Sequence, residues 1–471
     1  MSRAACAVSL IGWLSLSLLG EARAEEPPTA ETAPADDAPG EPRGDTPNPQ
    51  NPGIDEKTPP RAVSGVARRG RERGDAVREV LDSILWHPRQ AVELLFFASA
   101  HTAGLIDDEQ VIPRVEDTLN PPHGELRVFP TLFVETAGDL SLGMRVLARD
   151  RGFGSTVRVG AGGPRDLVAE SRLRATLPAP RPLVLGLEML HDVRGSRGFL
   201  GVGQRPEDDP RSHLRADASE RVGRYQEVRE RFIMSLGTRP LSDVELFISS
   251  SLTRRHQRDT VGAGQEAFSR VFDVDALPGG LAARTVVYQE AALRIDTRAT
   301  RSGASPGFQL ETYAGHALTL RPEDVTFIRT GGRIAGYFEV YKRSNVISPR
   351  LVLDGMTPVT GSIPWNELTR QPDFRGNDNR RDITSLVASL DYRWTVMRYL
   401  AARLFVDAAK VSPDLPKLTE GAPRYAGGLG FDVFTRTGSL GSLTTVVSPE
   451  GYNITLNLGV GAGFGDRQHR D

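Results

Sequence analysis

From Tyr452 to Phe464 the chain alternates with a period of two. Tyr452, Ile454, Leu456, Leu458, Val460, Ala462 and Phe464 fall on one face, and Asn453, Thr455, Asn457, Gly459, Gly461 and Gly463 on the other. Successive side chains of a strand point to opposite sides of a sheet, so one face is wholly apolar and the other small or polar. The pattern recurs upstream. Leu400, Ala402, Leu404, Val406 and Ala408 oppose Arg403, Phe405 and Asp407. Leu386, Ala388, Leu390, Tyr392 and Trp394 oppose Ser385, Ser389, Asp391 and Arg393. Val287, Ala291, Leu293 and Ile295 oppose Glu290, Arg294 and Asp296.

A half-solvated soluble sandwich produces the same alternation. Three features favour a membrane instead. The apolar faces persist over about ten residues, the length a tilted strand needs to cross hydrocarbon. Tyr and Trp gather at strand ends, as in aromatic girdles. The opposite faces carry charges and glycines, which suits a wet lumen. Lipid offers no partner to an unpaired backbone group, so such a sheet has to close. About sixteen segments begin near Glu125, Asp139, Phe153, Leu167, Pro182, Gly223, Ser242, Arg284, Gly307, Phe327, Ser348, Thr384, Arg398, Pro423, Leu440 and Gly451, an even number that fits a single-chain outer-membrane barrel. The expected fold is all-β: a sixteen-stranded antiparallel transmembrane β-barrel over residues 123–464, with a short N-terminal helical segment and a polar tail at 465–471. Short gaps around Gly138, Pro178 and Pro449 read as periplasmic turns, and long gaps at Arg194–Arg221, Thr253–Ala283 and Gly355–Ile383 as extracellular loops.

Ahead of the barrel, Met1-Ser2-Arg3, an apolar run from Ala4 to Leu19, and Glu21-Ala22-Arg23-Ala24 read as a secretory signal over residues 1–24, cleaved after Ala24. Residues 25–74 are Pro-, Ala- and acid-rich, with too little apolar surface to offset the entropy of ordering. The basic end of this linker (Arg68, Arg69, Arg71, Arg73) is either a headgroup contact or a solvated continuation. Residues 75–122 read as amphipathic helix, with Val77, Val80, Leu81, Ile84 and Leu85 at helical spacing and Pro88 dividing them from Val92 and Leu94 to Phe97. A place at the membrane interface suits this segment better than packing on a core, because a barrel in lipid has no ordinary core. Cys6 is the single cysteine and lies in the signal, which excludes disulfides, thiolate metal sites and Cys nucleophiles from the mature chain. A formal charge of −2 argues against a nucleic-acid partner. The preference for Arg over Lys reflects either genome composition or an Arg-lined lumen that favours anions.

Arg375 falls in the gap between the eleventh and twelfth segments. A loop arginine folded into the lumen must meet an anion, since a desolvated guanidinium without a partner is costly. Asp407 and Asp391 face the lumen on the next strands by alternation, and a bidentate Arg375–Asp407 contact would pin the loop inside the barrel. The alternative is an exposed loop arginine. Phe374-Arg375-Gly376, Leu390-Asp391-Tyr392-Arg393-Trp394 and Leu404-Phe405-Val406-Asp407-Ala408, in that order, resemble the C-terminal barrel of the bacterial surface antigen family, the superfamily of BamA- and TamA-like assembly barrels. The resemblance implies a sixteen-stranded barrel, an Arg-Gly-aromatic motif on the loop between strands eleven and twelve, an acidic-Tyr-Arg motif on the next strand and a Phe-x-Asp-x-Gly motif on the one after. Phe199-Leu200-Gly201-Val202-Gly203-Gln204 resembles the family's aromatic-x-Gly-x-Gly segment, and Phe464 its terminal aromatic. Asn377 stands where the family has its loop aromatic, and Ala409 where the strand motif ends in Gly. The stretch before the first strand lacks the strand–helix–helix–strand pattern of POTRA domains. It resembles the POTRA-less subgroup, which leaves no site for capturing clients by strand addition.

The chain contains no Gly-x-Ser-x-Gly elbow, no His-Glu-x-x-His and no Gly-x-x-x-x-Gly-Lys. No catalytic residue, metal site or cofactor is therefore expected. The expected site is the loop motif Phe374, Arg375 and Gly376 with Asp407 and Asp391, flanked by the strand motif Tyr392, Arg393 and Phe405. Tyr452, Gly459, Gly461, Gly463 and Phe464 of the closing strand complete it, the glycines weakening that strand. Three functions fit: insertion or translocation of protein or lipid in outer-membrane biogenesis, a passive or plugged solute pore, and an anchor for a periplasmic partner. The expected partners are outer-membrane lipids and periplasmic or inner-membrane components of a transport or assembly system, with no nucleic acid.

Overall fold

A computed structural model describes residues 126–458 except the short segments 135–139, 151, 163–164, 178–181, 219–220, 261–265, 299–304, 321–323, 342–344, 377–379, 398–399 and 435–438. The expected signal, linker and helical segment, and Asn377, Gly459, Gly461, Gly463, Phe464 and the tail, lie outside the described residues. The strands are β1 (Leu126–Val134), β2 (Leu140–Asp150), β3 (Phe153–Ala161), β4 (Leu167–Leu177), β5 (Leu183–Phe199), β6 (Gly223–Leu241), β7 (Val244–Asp259) and β8 (Arg284–Asp296). They continue as β9 (Gly307–Leu320), β10 (Thr326–Tyr341), β11 (Asn345–Thr360), β12 (Thr384–Met397), β13 (Leu400–Ser412), β14 (Arg424–Phe434), β15 (Ser439–Ser448) and β16 (Gly451–Leu458). Each pairs antiparallel with its sequence neighbours, and β1 meets β16, so the sheet is a closed sixteen-stranded barrel.

Its two faces invert the soluble arrangement. On β7, Leu246, Ile248 and Leu252 are exposed on the outside, while Glu245, Ser249 and Arg255 on the opposite face are buried. On β13, Val406 is 57% exposed and the next residue, Asp407, is 0% exposed. A continuous belt of Leu, Met, Ile and Val of this extent is unstable in water and belongs against lipid. No helix among the described residues is long and apolar enough to cross a membrane. Closure is what makes the place against lipid possible, because every ladder group finds a lateral partner.

Charges turned inward must then satisfy one another. Arg294 on β8 donates from Nη1 to Glu245 Oε2 on β7 (3.1 Å) and from Nε to Glu311 Oε2 on β9 (3.2 Å). Both carboxylates are 1% exposed. Such a row is expensive to desolvate and stable only when every member is paired.

Two expectations about the connections need correction. The long loops are shorter than the sequence suggested, because the preceding strands run on to Phe199, Asp259 and Thr360. β5, β6 and β7 contain 17, 19 and 16 residues, well beyond the roughly ten that cross hydrocarbon. The extra length carries charge instead of an apolar face (Arg194, Arg197, Glu227, Arg229, Arg255), so the alternation ends before the strand does. Second, the connection around Gly138 and the turn at Pro449 follow odd-numbered strands, as the long loops do, and open at the same end of the barrel. Only the gap at Pro178 lies at the opposite end. Loop length alone does not report the side; strand parity does.

The three long connections meet over the mouth. Phe199, Tyr225, Phe268, Phe272 and Trp365 form one aromatic cluster with ring centroids 4.5–5.8 Å apart. Trp365, on the β11–β12 loop, donates from Nε1 to Gly280 O on the β7–β8 loop (2.8 Å). Arg211, on the β5–β6 loop, reaches the β11–β12 loop with a fork onto Asp382 (2.8 and 2.9 Å). Gly201 and Gly203 hold φ of +111° and +94°, and a Cβ on either would lie 2.5 Å from Ser212 Oγ or Asp209 Oδ2. The aromatic-x-Gly-x-Gly segment thus has a local reason for its glycines: left-handed backbone in a crowded cap.

Because Val406 sits in mid-belt, Val406→Arg is expected to destabilise the refolded barrel by about 2–4 kcal/mol in urea titrations, whereas Val406→Leu is near neutral. Equal stability of the two variants would show that this face does not meet hydrocarbon.

Candidate functional site: a loop arginine fastened inside the barrel

The β11–β12 loop leaves the wall at Gly361 (φ +69°), passes under the cap at Trp365 and folds back on itself. Thr369 N donates to Asp382 O (2.9 Å), and Asp382 N to Thr369 O (3.4 Å), joining the two arms of the loop. The tip beyond them closes with Phe374 N donating to Gln371 O (3.0 Å). This turn aims Gln371, Asp373 and Arg375 at the inner wall.

Arg375 meets both expected carboxylates. Its Nε donates to Asp407 Oδ2 (2.8 Å), Nη2 also bonds Asp407 Oδ1, and its backbone N–H adds a third bond to Asp407 Oδ2 (3.1 Å). Nη1 and Nη2 donate to Asp391 Oδ2 (3.1 Å) and Oδ1 (2.6 Å). The guanidinium plane has its underside 3.6 Å from the centroid of Phe405. Burial works against the charge on Arg375, but the hydrogen bonds to Asp407 and Asp391 outweigh it and hold its pKa above the ordinary arginine value. A planar fork with donors on two sides can span two carboxylates at once, which an ammonium cannot. Phe374 is 2% exposed beneath Arg424, whose Cζ lies 4.8 Å from its ring. Gly376 has no room for a side chain: a Cβ would lie 2.7 Å from the Phe374 ring.

Two further fasteners escaped the sequence reading. Asp373 accepts from Arg333 Nη2 on β10 (2.8 and 2.7 Å) and lies 3.4 Å from Arg350 on β11. Gln371, fully buried, donates to Leu386 O (3.3 Å) and Lys410 O (2.8 Å) and accepts from Arg424 on β14. The tip is therefore held by five consecutive strands, β10 to β14. A signal existed, but only once the register is known. Arg350 faces Ala335 and Ser389, so this inward arginine has no carboxylate opposite it, whereas Arg424 faces Ala409 and also pairs with Glu450 (3.5 Å).

The strand motif divides. Phe405 is the floor of the arginine site. Arg393 does not touch the loop; it pairs with Asp432 on β14 (3.0 Å). Tyr392 lies on the outward face with Trp394, the rings stacked at 5.4 Å and Asn345 Nδ2 donating to Tyr392 Oη (3.0 Å). These two aromatics are 6% and 0% exposed, so they do not form an open girdle, whereas Tyr452 of β16 is 82% exposed.

Removing the fork leaves two buried carboxylates facing each other, a loss of roughly 3–5 kcal/mol for a broken buried pair. Arg375→Ala is expected to release the tip, read as faster hydrogen exchange over residues 371–376 and faster proteolysis of the loop, with the barrel itself intact. Arg375→Lys is expected to restore less than half of that protection, because one ammonium cannot hold both carboxylates. Unchanged exchange in the alanine variant would show that Asp373 and Gln371 suffice.

No protein-family model matches the chain, and no curated protein does. Several solved structures are similar to it. BamA from Haemophilus ducreyi lacking POTRA domains 1–3 is 11% identical, with 74% of this chain and 77% of that one covered at a TM-score of 0.49. CdiB from Acinetobacter baumannii is 10% identical over 71% of this chain and 60% of that one, TM-score 0.43. The CymD monoaromatic hydrocarbon channel is 12% identical over 70% of this chain and 83% of that one, TM-score 0.26.

Proposed function

We propose that the chain is an outer-membrane barrel of the BamA-like superfamily that acts in outer-membrane biogenesis, inserting or translocating protein or lipid. The observation that carries this reading is the lumenal loop pinned by Arg375 to Asp407 and Asp391, on the residues that resemble the superfamily's three ordered motifs. A barrel for free diffusion needs an open axis. Here the tip of the loop is tied across five strands and an aromatic cluster covers the mouth.

With the axis obstructed, the wall offers the other exit. Among the described residues β1 meets β16 with Val134 opposite Leu456. Every other neighbouring pair of strands is joined by a chain connection, whereas β1 and β16 are the two ends of the barrel, so the seam between them is the line of least resistance for lateral opening. A client or lipid leaving there passes directly into the bilayer, without crossing the cap. Periplasmic or inner-membrane components of an assembly or transport system are the partners this role requires.

A plugged solute pore is the second reading, favoured by the fact that the tip is held by ion pairs that a single substitution can remove. Planar-bilayer recordings separate the two. A silent wild-type barrel that conducts as Arg375→Ala supports the pore. A barrel silent in both forms, together with falling levels of other outer-membrane proteins or lipids on depletion, supports biogenesis. For the lateral route, Val134→Cys with Leu456→Cys is expected to lock the seam as a disulfide, since directly paired strand residues lie within bridging distance. Loss of complementation under oxidation and recovery under reductant is the expected result; full activity of the locked barrel sinks lateral opening.

A further inference from the structure

Between the aromatic cap and the fastened tip, the described residues hold more buried positive charge than they answer. Arg381, on the outgoing arm of the β11–β12 loop, is 4% exposed. Its Nη2 donates to Tyr225 Oη (3.1 Å), its guanidinium lies 5.6 and 5.3 Å from the Phe199 and Trp365 rings, and its Nη1 is buried with no hydrogen-bond partner among the described residues. Arg370, on the incoming arm, likewise has a buried Nη2 without a partner among the described residues. The charges acting on Arg370 are Arg381 and Arg197, which repel it, and Glu227, which attracts it. Burial first, and then these two arginines, pull its pKa down to about 9.

The neighbouring carboxylates are already committed. Glu227 is shared by Arg197 (3.3 Å) and Arg255 (3.6 Å), and Glu367 faces Arg255 (3.1 Å). Asp192 answers Arg194 (2.7 Å) and Arg229 (3.1 Å), and Asp382 is held by Arg211 (2.8 Å). Around Glu227 and Glu367 there are thus four guanidinium groups for two carboxylates. An uncompensated buried cation is costly, and the cost falls when a mobile anion is drawn in.

We propose that Arg370 and Arg381, with the Tyr225 hydroxyl, form a binding site for an oxyanion of the phosphate class. Two guanidinium groups supply donors from different directions, which matches a tetrahedral oxyanion better than a planar carboxylate or a spherical halide. The Tyr225 oxygen accepts from Arg381, so its own proton is available to the anion. A dianion neutralises the local excess of two positive charges. The interior next to the cluster is not packed solid: Arg255 and Glu367 also line a cavity of about 40 Å³ with Arg231. The anion would tie both arms of the loop to the top of β6, independently of the Arg375 fork and of any role assigned to the barrel.

The test is titration of inorganic phosphate into the full-length refolded barrel, in zwitterionic detergent and chloride buffer, read by calorimetry and thermal midpoint. Phosphate is expected to bind and to raise the midpoint by a few degrees. Arg370→Gln and Arg381→Gln are each expected to weaken binding about tenfold or more, and Tyr225→Phe, which keeps the ring, less than that. In chloride alone the Arg370→Gln variant is expected to melt at or above the wild-type temperature, because a repelled charge has gone. A lipid phosphate as the natural source is distinguished by reconstitution: protection that appears only in phosphatidylglycerol vesicles, and is lost in Arg370→Gln, assigns the headgroup. No phosphate-dependent shift in either setting, or equal phosphate affinity in wild type and both glutamine variants, overturns the site.

Discussion

Hydrocarbon cannot hydrogen-bond, and most of this structure follows from that. A sheet in lipid leaves no acceptable edge, so β1 must find β16 and the strands must close into a ring. Once the ring closes, alternation has one possible orientation. Apolar residues such as Ile248 and Val406 take the outside, and the charged positions between them, Glu245, Arg255 and Asp407 among them, take the inside. The interior therefore inherits a set of charges that must find partners within the lumen.

That requirement explains why the lumen is filled. Along β7 to β9 the charges resolve one another across the ladder, as Arg294 does with Glu245 and Glu311. Along β10 to β14 some do, as Arg393 does with Asp432, and others do not. Asp391, Asp407 and Arg350 have no opposite charge directly across a neighbouring strand. The β11–β12 loop supplies partners for these, Arg375 for the two aspartates and Asp373 for Arg350, and adds Asp373 to Arg333 and Gln371 to Arg424. Loop and wall are complementary halves of one electrostatic structure. A tip with polar groups at three positions can be held against five strands because the barrel wall curves around it.

The same reasoning separates two regions of the loop. At the tip, charges balance and the fold is held from within. Nearer the cap, Arg370 and Arg381 have no carboxylate of their own among the described residues, and the arms of the loop are held by Tyr225, by the aromatic cluster and by backbone pairing. An element fixed firmly at one end and short of counter-charge at the other is suited to control by a small anion.

How much of this the sequence determined can be argued residue by residue. The period of two, its persistence over a membrane's thickness and the number of repeats were enough for the barrel, because alternation is a local property of the strand. Arg375 and its two aspartates were also legible, because inward-facing positions on consecutive strands can be counted without knowing any register. The ends of β5 and β7 were not, since strand continues there on charged residues that carry no apolar face, nor was that of β11, which continues through Gly355, Thr357 and Pro358. Nor were Asp373 and Gln371, whose partners Arg333, Arg350 and Arg424 lie 23 to 53 residues away in sequence and are brought to them only by the strand register. The excess of arginine beneath the cap was hidden for the same reason. Alternation says that a residue points inward; only the closed barrel decides which inward residues meet, because opposite charges compensate one another through space and the chain alone does not specify that distance.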